Sequence, residues 1–388
     1  MCASGRMNIE PAASADAIPS ILARAEKQIE DSVSAGARPG CTHARPDATS
    51  DGATNMARDG GGVYDSERYW NAVTPAYDGG SLHVFRSGGL TIPLIERPLP
   101  QSLLGSLHRL RRTHDVVSPY DFAGPLVSGG SIASDWTAFQ EYAHARGWLT
   151  AFFRFHPFQT EVNTWRDLRG LDLAYQGDHM VADLQGLSRG ELLSQFKRQV
   201  RRDLRVADRG GVVCSLAPFS RPMISRFAAV YDKTMARRES APFYRFSETF
   251  FAGLHESLGS TGENLWLAAA FHADELISAS LILIEDDTAF YYLAGFDFAY
   301  RRLCSMNAML FEACHSLSRM GVRRLFLGGG APGVAAFKAR FATSTVPFFT
   351  GRAVFCEESL AAIRSGLPST EFFPPYRDPS LIVTRPCS

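Results

Sequence analysis

The stretch LFLGGGAPGVAAFKARF, Leu325 to Phe341, passes from an apolar strand through a glycine turn into a short helix. A phosphate loop is one interpretation of such a turn, but a Walker loop ends in Gly-Lys-Ser/Thr, which is missing here. Three of the glycines have the spacing of a dinucleotide-binding fingerprint, yet Pro332 is foreign to it and Phe349–Ala353, about 20 residues on, holds no acidic residue. The surrounding elements must therefore decide what this turn does.

Composition restricts the possible functions. The chain has 388 residues with 40 basic and 40 acidic side chains, so its formal net charge is zero and nucleic acid or membrane would have to meet a local patch. The seven cysteines form no Cys-x-x-Cys pair and no histidine cluster has metal spacing, which predicts a reduced protein without a metal. No apolar run reaches the roughly 18 residues that span a bilayer. The N-terminus lacks a signal-type pattern, so we expect a cytoplasmic protein.

Composition and pattern divide the chain into four regions. Residues 1–62 are rich in Ala, Ser, Gly, Asp and Pro, which predicts a disordered or weakly ordered tail. Residues 63–207 and 208–358 each combine strands with helices, and we predict that they form two domains. Residues 359–388 are a C-terminal extension.

In the first domain the pattern predicts a hairpin, a broken strand, a helix, a strand and a long helix. The predicted elements are the hairpin of Leu82–Phe85 with Leu90–Ile95, the interrupted strand Val116–Val127, a helix capped by Ser134 or Asp135, the strand Trp148–Phe155, and Val181–Leu187 leading into the helix Ser188–Ala207. Ser188 and Glu191 have the capping-box spacing.

In the second domain two helices follow a first strand, and three antiparallel strands come next. The predicted elements are the strand Val212–Leu216, the helices Arg221–Arg237 and Ser247–Leu258, the strands Leu265–Phe271, Leu276–Glu285 and Ala289–Phe296, the helix Ala308–Met320 with Gly321 at its C′ position, the strand Val322–Leu327, the Phe337 helix and the strand Val346–Phe355.

This order over Val212–Phe355 resembles the GNAT fold of N-acyltransferases. The resemblance implies an α/β (α+β) protein with two GNAT-like domains, each a mixed, mainly antiparallel sheet flanked by helices. In that family a glycine-rich turn after the fourth strand binds the coenzyme A pyrophosphate through backbone N–H groups. The corresponding turn here, Asp297–Asn307, contains no glycine, which argues against ordinary coenzyme A binding.

Four motifs carry a more specific resemblance, which covers Tyr64–Phe355. They are Ser118–Pro125 (SPYDFAGP), Tyr231–Arg238 (YDKTMARR) followed by Tyr244, Tyr291–Gly295 (YYLAG), and Leu327–Gly330 (LGGG) with Phe337-Lys338-x-x-Phe341. In this order they resemble the Fem family, twin GNAT domains that transfer an amino acid from aminoacyl-tRNA to an amine, on peptidoglycan precursors or in natural-product pathways. The resemblance implies that the glycine turn after Leu327 lets the substrate come close to the backbone. It also implies that the Phe337 helix lies beside the tRNA 3′ end.

The residues of that helix have defined expected roles. Phe337 would stack on the terminal adenine, and Lys338 would neutralise a phosphate or the charge that develops on the ester carbonyl. The alternative is that Phe337 and Phe341 form the core face of the helix, with Lys338 and Arg340 solvated. A basic helical stripe is the second candidate for tRNA contact, and its alternative is a merely solvated face. The stripe consists of Lys197, Arg198, Arg201, Arg202 and Arg205.

The resemblance places Asp121 opposite the second domain, where it would orient the acceptor amine; a turn-forming aspartate is the alternative. Tyr291 and Tyr292 alternate along a strand, so one should line the cleft and the other the core. We expect Lys338, Asp121 and Tyr292 to be catalytic. The expected acceptor-binding residues are Tyr120, Arg237, Arg238, Tyr244 and Tyr291.

Our hypothesis is a tRNA-dependent aminoacyltransferase that forms an amide with an amine acceptor, without a cofactor other than aminoacyl-tRNA as co-substrate. Its partners would be charged tRNA and a small-molecule or peptidoglycan-precursor amine. Two alternatives remain open: an acyl-coenzyme A-dependent N-acyltransferase on the same fold, and a non-catalytic GNAT-like binding protein.

Overall fold

A computed structural model of the protein describes residues 62–100, 113–158, 162–260 and 262–382. The predicted tail, residues 1–62, lies outside these residues apart from Gly62. The strands in the described ranges are β1 Ser81–Ser87, β2 Leu90–Pro98, β3 His114–Val117, β4 Leu126–Val127, β5 Trp148–Arg154, β6 Leu171–Asp183, β7 Val212–Pro218, β8 Leu265–His272, β9 Glu275–Glu285, β10 Thr288–Phe296, β11 Arg324–Gly328 and β12 Ser344–Val354.

Helices flank these strands. They are α1 Glu67–Val73, α2 Ile132–Arg146, α3 Val162–Arg166, α4 Arg189–Gln195, α5 Arg198–Arg209, α6 Ile224–Arg237, α7 Glu248–Leu254, α8 Ser305–Arg319, α9 Pro332–Lys338, α10 Glu357–Arg364 and α11 Pro379–Ile382. None of these helices combines the length and hydropathy needed to cross a bilayer.

One sheet runs through the described part of the chain in the order β1-β2-β3-β5-β12-β6-β11-β10-β9-β8-β7, with β4 on β2. The β3/β5 and β10/β11 pairs are parallel and the other neighbours are antiparallel, which confirms the predicted mixed, mainly antiparallel architecture. β12 lies between β5 and β6, so the last strand of the second half completes the sheet of the first half. The position of the domain boundaries stays a prediction.

Apolar cores cover both faces of the second half. Phe227 of α6 and Phe251 of α7 are buried on one face, and Met309 and Leu317 of α8 are buried on the other. Gly295 lets β10 approach α6, since a Cβ at this position would lie 2.6 Å from the Tyr231 backbone nitrogen. This close packing positions the tyrosines described below.

Three local predictions require correction. Helix α2 begins at Ile132 with Ser131 as its cap, not Ser134 or Asp135. Asp135 is buried instead and accepts hydrogen bonds from Ser87 Oγ and the Gly89 amide, so it holds the β1/β2 turn. The predicted helix Ser188–Ala207 breaks into α4 and α5, because Phe196 adopts an extended conformation and packs 5.1 Å from the Phe341 ring.

The third correction concerns β6, which is thirteen residues long and runs from Leu171 to Asp183. The sequence analysis predicted no strand here and gave only a segment, Val181–Leu187, that leads into a helix. Other details are confirmed. Ser188 and Glu191 form the capping box, and Gly321 follows the end of α8 with a φ of 86°. The predicted strand Val116–Val127 is interrupted, as expected, by the loop between β3 and β4.

Candidate functional site

Asp121 lies in the loop that follows β3 and has a left-handed backbone with a φ of 63°. Aspartate and asparagine tolerate this conformation better than most residues do. Its half-buried carboxylate accepts a 2.7 Å hydrogen bond from the Tyr64 hydroxyl. Burial raises the pKa of Asp121 to about 7, although the Tyr64 hydrogen bond and the charges of Arg154 and Lys338 act in the opposite direction. Asp121 can therefore both gain and lose a proton near neutral pH.

Lys338 ends α9 and is only 8% exposed, so it is not a solvated surface lysine. Its Nζ donates a 2.6 Å hydrogen bond to the Gly329 carbonyl and lies 5.7 Å from the centre of the Tyr291 ring. Burial lowers the pKa of Lys338 to about 8; the Asp121 charge raises it and the Arg238 charge lowers it. The glycine turn Gly328–Gly330 thus holds a buried ammonium group that interacts electrostatically with Asp121.

A gap between two strands brings these groups together. The β10/β11 ladder consists of three residue pairs and ends at Phe290 and Phe326. Beyond this point β10 continues to Phe296, while β11 keeps its pairing with β6 as far as Gly328 and then enters the glycine turn. The two strands therefore separate where Tyr291 begins, and Lys338 lies beside this opening.

Four tyrosines lie on the Asp121 side of the opening: Tyr64 and Tyr69 are buried, and Tyr120 and Tyr292 are half-buried. The Tyr69 hydroxyl donates a 2.8 Å hydrogen bond to the Tyr120 carbonyl and lies 3.2 Å from the Tyr292 hydroxyl. Burial is the largest cause that raises the pKa of Tyr64, Tyr69, Tyr120 and Tyr292, so all four are neutral hydrogen-bonding groups.

Tyr291 and Tyr292 pack on opposite sides of the sheet, as the strand alternation predicted. Tyr292 belongs to the core that contains Tyr69 and Tyr231, whereas Tyr291 packs against the core that contains Phe341. Tyr292 therefore faces the Asp121 side, and Tyr291 lies below the Lys338 ammonium.

The expected acceptor-binding residues separate into two positions. The charge of Arg238 affects the pKa values of Lys338, Tyr231 and Tyr291, which puts it near the opening. Arg237 instead lies 4.8 Å over the exposed Phe298 ring, on the protein surface. The Tyr244 ring is 43% exposed, and its carbonyl accepts a hydrogen bond from Tyr231.

The predicted tRNA-binding residues also differ in their surroundings. Phe337 is half-buried and its ring centre lies 5.9 Å from that of Phe341, so part of the ring belongs to the core. Arg340 pairs with Asp203 at 3.4 Å and is therefore not a freely solvated cation. All five members of the basic stripe are exposed on the loop and helix that begin at Lys197. The Lys197 amide donates to the Arg340 carbonyl, which joins the stripe to the end of the α9 segment.

The sequence analysis missed His179, which lies on β6. Its ring stacks on Phe348 with 4.4 Å between centres, and a Cβ added to Gly329 would lie 2.7 Å from its Nε2. Burial, assisted by the Lys338 charge, lowers the pKa of His179 to about 4, so the ring is neutral at pH 7. The sequence around His179 is polar and shows no clear alternation, so it predicts neither a strand nor a shielded histidine.

The turn that replaces the glycine-rich pyrophosphate loop is a tight helical turn, Phe298–Leu303. The Asp297 side chain caps it by accepting from the Ala299 amide, and Cys304 connects it to α8 with a φ of 53°. Arg301 and Arg302 are exposed on this turn. Within the described ranges, no group of three or more side chains has the arrangement of a metal site.

Comparison with known proteins concerns the fold. Residues 194–339 match the family described as Acetyltransferase (GNAT) domain. No curated protein sequence is significantly similar to the chain. Among solved structures, FemX superposes with a TM-score of 0.54 at 12% identity, over 73% of this chain and 90% of that one.

Two further structures cover a similar part of the chain. L-PGS from Bacillus licheniformis has a TM-score of 0.52 at 13% identity, over 78% of this chain and 93% of its own. The C-terminal domain of a putative lysylphosphatidylglycerol synthetase from Agrobacterium fabrum has a TM-score of 0.50 at 18% identity, over 77% and 93%. The chain therefore has a GNAT fold similar to that of FemX, and residues 194–339 match a GNAT domain.

Proposed function

We propose that this protein is an acyltransferase that transfers an amino acid from aminoacyl-tRNA to the amine of a peptidoglycan precursor or natural-product intermediate. The observation that carries the proposal is that Asp121 and Lys338 influence each other's pKa beside the opening between β10 and β11, where the Lys338 Nζ is held by the Gly329 carbonyl. A carboxylate that titrates near neutral pH and a buried ammonium group are the two charges that this reaction needs.

The chemistry assigns one task to each group. Ionised Asp121 takes a proton from the acceptor ammonium, and the free amine attacks the carbonyl carbon of the aminoacyl ester. A C–N bond forms, and the Lys338 ammonium stabilises the oxyanion that develops. The C–O bond to the terminal ribose then breaks, and the ribose oxygen leaves with a proton from the attacking nitrogen. The Tyr69 hydroxyl donates to the Tyr120 carbonyl and lies 3.2 Å from the Tyr292 hydroxyl, so Tyr292 donates to Tyr69, and its oxygen would accept a hydrogen bond from the bound acceptor amine.

The Fem-like fold and the names of its structural neighbours support an aminoacyl donor, since one neighbour is described as a lysylphosphatidylglycerol synthetase. The exposed stripe on α5 supplies a local phosphate-binding surface in a chain of zero net charge. The second candidate is an acyl-coenzyme A-dependent N-acyltransferase. The match to an acetyltransferase domain and the separation of β10 from β11 favour it.

A donor test separates the two. We expect a pool of labelled aminoacyl-tRNAs to bind the wild-type protein, and the Arg201→Gln/Arg205→Gln variant to bind less tightly because two exposed cations are lost. Each lost phosphate contact should also reduce the slope of log affinity against log salt by about 1. Filter binding at several salt concentrations measures both effects.

Arg319→Gln is the matched control, because Arg319 is exposed at the end of a different helix. Saturable binding of labelled acetyl-coenzyme A without binding of charged tRNA would instead select the coenzyme A-dependent enzyme. Absence of transfer with either donor would favour a binding protein.

The pH dependence of transfer is a second expected result. Asp121 must be ionised, so the rate should rise as the pH increases through about 7, the pKa of this carboxyl. Lys338 must be protonated, so the rate should fall above about 8. Single-turnover rates between pH 5.5 and about 9.5 should therefore trace a narrow bell. A flat profile across this range would contradict the assigned roles.

A further inference from the structure

Two arginines on the neighbouring strands β5 and β12 have buried nitrogens without hydrogen-bond partners among the described residues. These atoms are Nη1 of Arg154, at the end of β5, and Nε of Arg352, on β12. No salt bridge joins either guanidinium group to a described carboxylate. Asp115, which lies on the neighbouring strand, is occupied by Arg97 and Arg377. Two partly buried cations thus have no anionic partner among the residues that the structure describes.

The strand register puts both arginines on one face of the sheet. Arg154 pairs with Thr350, and Phe152 pairs with Arg352, so the two arginines are diagonal neighbours, about 7–8 Å apart at their Cα atoms. Arg154 lies 5.1 Å over the Phe152 ring and Arg352 lies 5.6 Å over the Phe373 ring. The two ring centres are 6.3 Å apart, so the guanidinium groups flank a single pair of rings.

A hydroxyl group completes the polar set. Thr350 is buried, and its Oγ accepts a 3.0 Å hydrogen bond from Gln176 Nε2, which leaves its own hydrogen to donate. Asp172 lies opposite Arg352 in the β6/β12 ladder, but it is exposed and forms no salt bridge with Arg352. Like charges held side by side are unfavourable, and a bound anion that accepts from both would offset this repulsion.

Arg154 connects this set of residues to Asp121 electrostatically. The Arg154 charge lowers the pKa of Asp121, yet the two side chains do not form an ion pair. A ligand that carries both an ammonium group and an anionic group suits two opposite charges that do not pair with each other. Its ammonium would face the Asp121 carboxylate, and its anion would face the guanidinium groups.

We propose that Arg154, Arg352 and Thr350 bind an anionic group, a carboxylate or a phosphate, on the amine acceptor. The identity of the ligand as the acceptor rests on the proposed function, whereas the anion site itself does not. Bidentate guanidinium groups suit both anions, since carboxylate and phosphate oxygens match the geometry of the arginine fork.

Thermal unfolding of the full chain, without tRNA or acceptor, tests the site. We expect sodium phosphate or sodium acetate, titrated at constant ionic strength, to raise the Tm in a saturable way. Arg154→Gln and Arg352→Gln should each weaken the apparent affinity by roughly tenfold or more, because a charged hydrogen-bonding partner is lost. Arg319→Gln should bind as the wild type does, because Arg319 is exposed at the end of a different helix.

Arg154→Lys and Arg352→Lys keep the charge and lose the fork, so their affinities should lie between those of the wild type and the glutamine variants. If circular dichroism shows that a glutamine variant is unfolded, the lysine variant at the same position decides the outcome. Stronger binding of phosphate would identify a phosphorylated acceptor, and stronger binding of acetate a carboxylate.

No saturable effect of either anion, or equal affinities in the wild type and all Arg154 and Arg352 variants, would overturn the proposal. The assay needs no donor, so its result is independent of whether the protein uses aminoacyl-tRNA. Anion binding without tRNA-dependent transfer would leave this site in place and remove only the proposed function.

Discussion

Replacement of Asp121 by asparagine is expected to lower transfer by about 100-fold or more while stabilising the folded protein above neutral pH. The loss of activity follows because asparagine cannot take the proton from the acceptor ammonium, and general-base catalysis contributes about 10²–10⁴-fold. Asparagine accepts the Tyr64 hydrogen bond and tolerates the left-handed backbone, so the loop should keep its conformation.

The sign of the stability change follows from proton linkage. Burial raises the pKa of Asp121 from 3.8 to about 7 in the folded state. Between these values the folded protein holds a proton that the unfolded chain releases, so wild-type stability falls as the pH rises, by up to about 4 kcal/mol at pH 8. The asparagine side chain does not titrate. The difference in unfolding free energy should therefore be small at pH 4 and favour the variant at pH 8.

Denaturant unfolding at both pH values and single-turnover transfer measure the two effects. Asp286→Asn is the matched control, because Asp286 also has a positive φ but is exposed in the β9/β10 turn. It should leave both quantities unchanged. A variant Asp121→Asn that retained activity within a few fold, or that lost stability at pH 8, would refute the role of this carboxyl.

Replacement of Lys338 by methionine should lower transfer by a similar factor, about 10²–10³-fold, because the developing oxyanion loses its cation. Burial lowers the pKa of Lys338 from 10.5 to about 8. The cost of keeping this ammonium buried is present below pH 8 and decreases as the pH rises towards 10.5, where the unfolded chain also releases its proton. Wild-type stability should therefore increase over this interval relative to the methionine variant.

The methionine variant also loses the hydrogen bond to Gly329, so its absolute stability at pH 7 is less informative than the change between pH 8 and about 10.5. Lys338→Arg tests whether charge alone is sufficient. It keeps a positive charge, but the larger, planar guanidinium group must enter a site in which the lysine side chain is only 8% exposed. The control is Lys233→Met, at an exposed lysine paired with Asp297. If Lys338 were only structural, the residual activity of Lys338→Met would change in parallel with its stability. Its transfer rate would also still fall at alkaline pH, as it does in the wild type.

Local patterns predicted much of this fold, because each depends on neighbours in sequence. The hairpins, the capping box at Ser188 and the opposite faces of Tyr291 and Tyr292 all follow from spacing. The position of β12 between β5 and β6 does not, since it depends on which distant edges pair. That pairing creates the Arg154 and Arg352 site, so these two residues could not be singled out from the sequence.

The candidate site shows the same limit. The motifs marked Asp121 and Lys338 separately, and only the folded chain shows that their charges interact across the opening between β10 and β11. His179 was missed because β6 is polar along much of its length, which hides its strand period. The break at Phe196 was missed because burial of one aromatic side chain overrides the helical pattern on either side.

The most direct test of the central claim follows the chemical bond that carries the amino acid. Labelled aminoacyl-tRNA is incubated with the protein and a pool of small amines, and the label is then treated with mild alkali, which cleaves aminoacyl esters but not amides. The account predicts alkali-stable label in small molecules, formed by the wild type and lost with Asp121→Asn. Label that stays alkali-labile in a new product would indicate a hydroxyl acceptor, and amide formation only from acetyl-coenzyme A would contradict a tRNA donor.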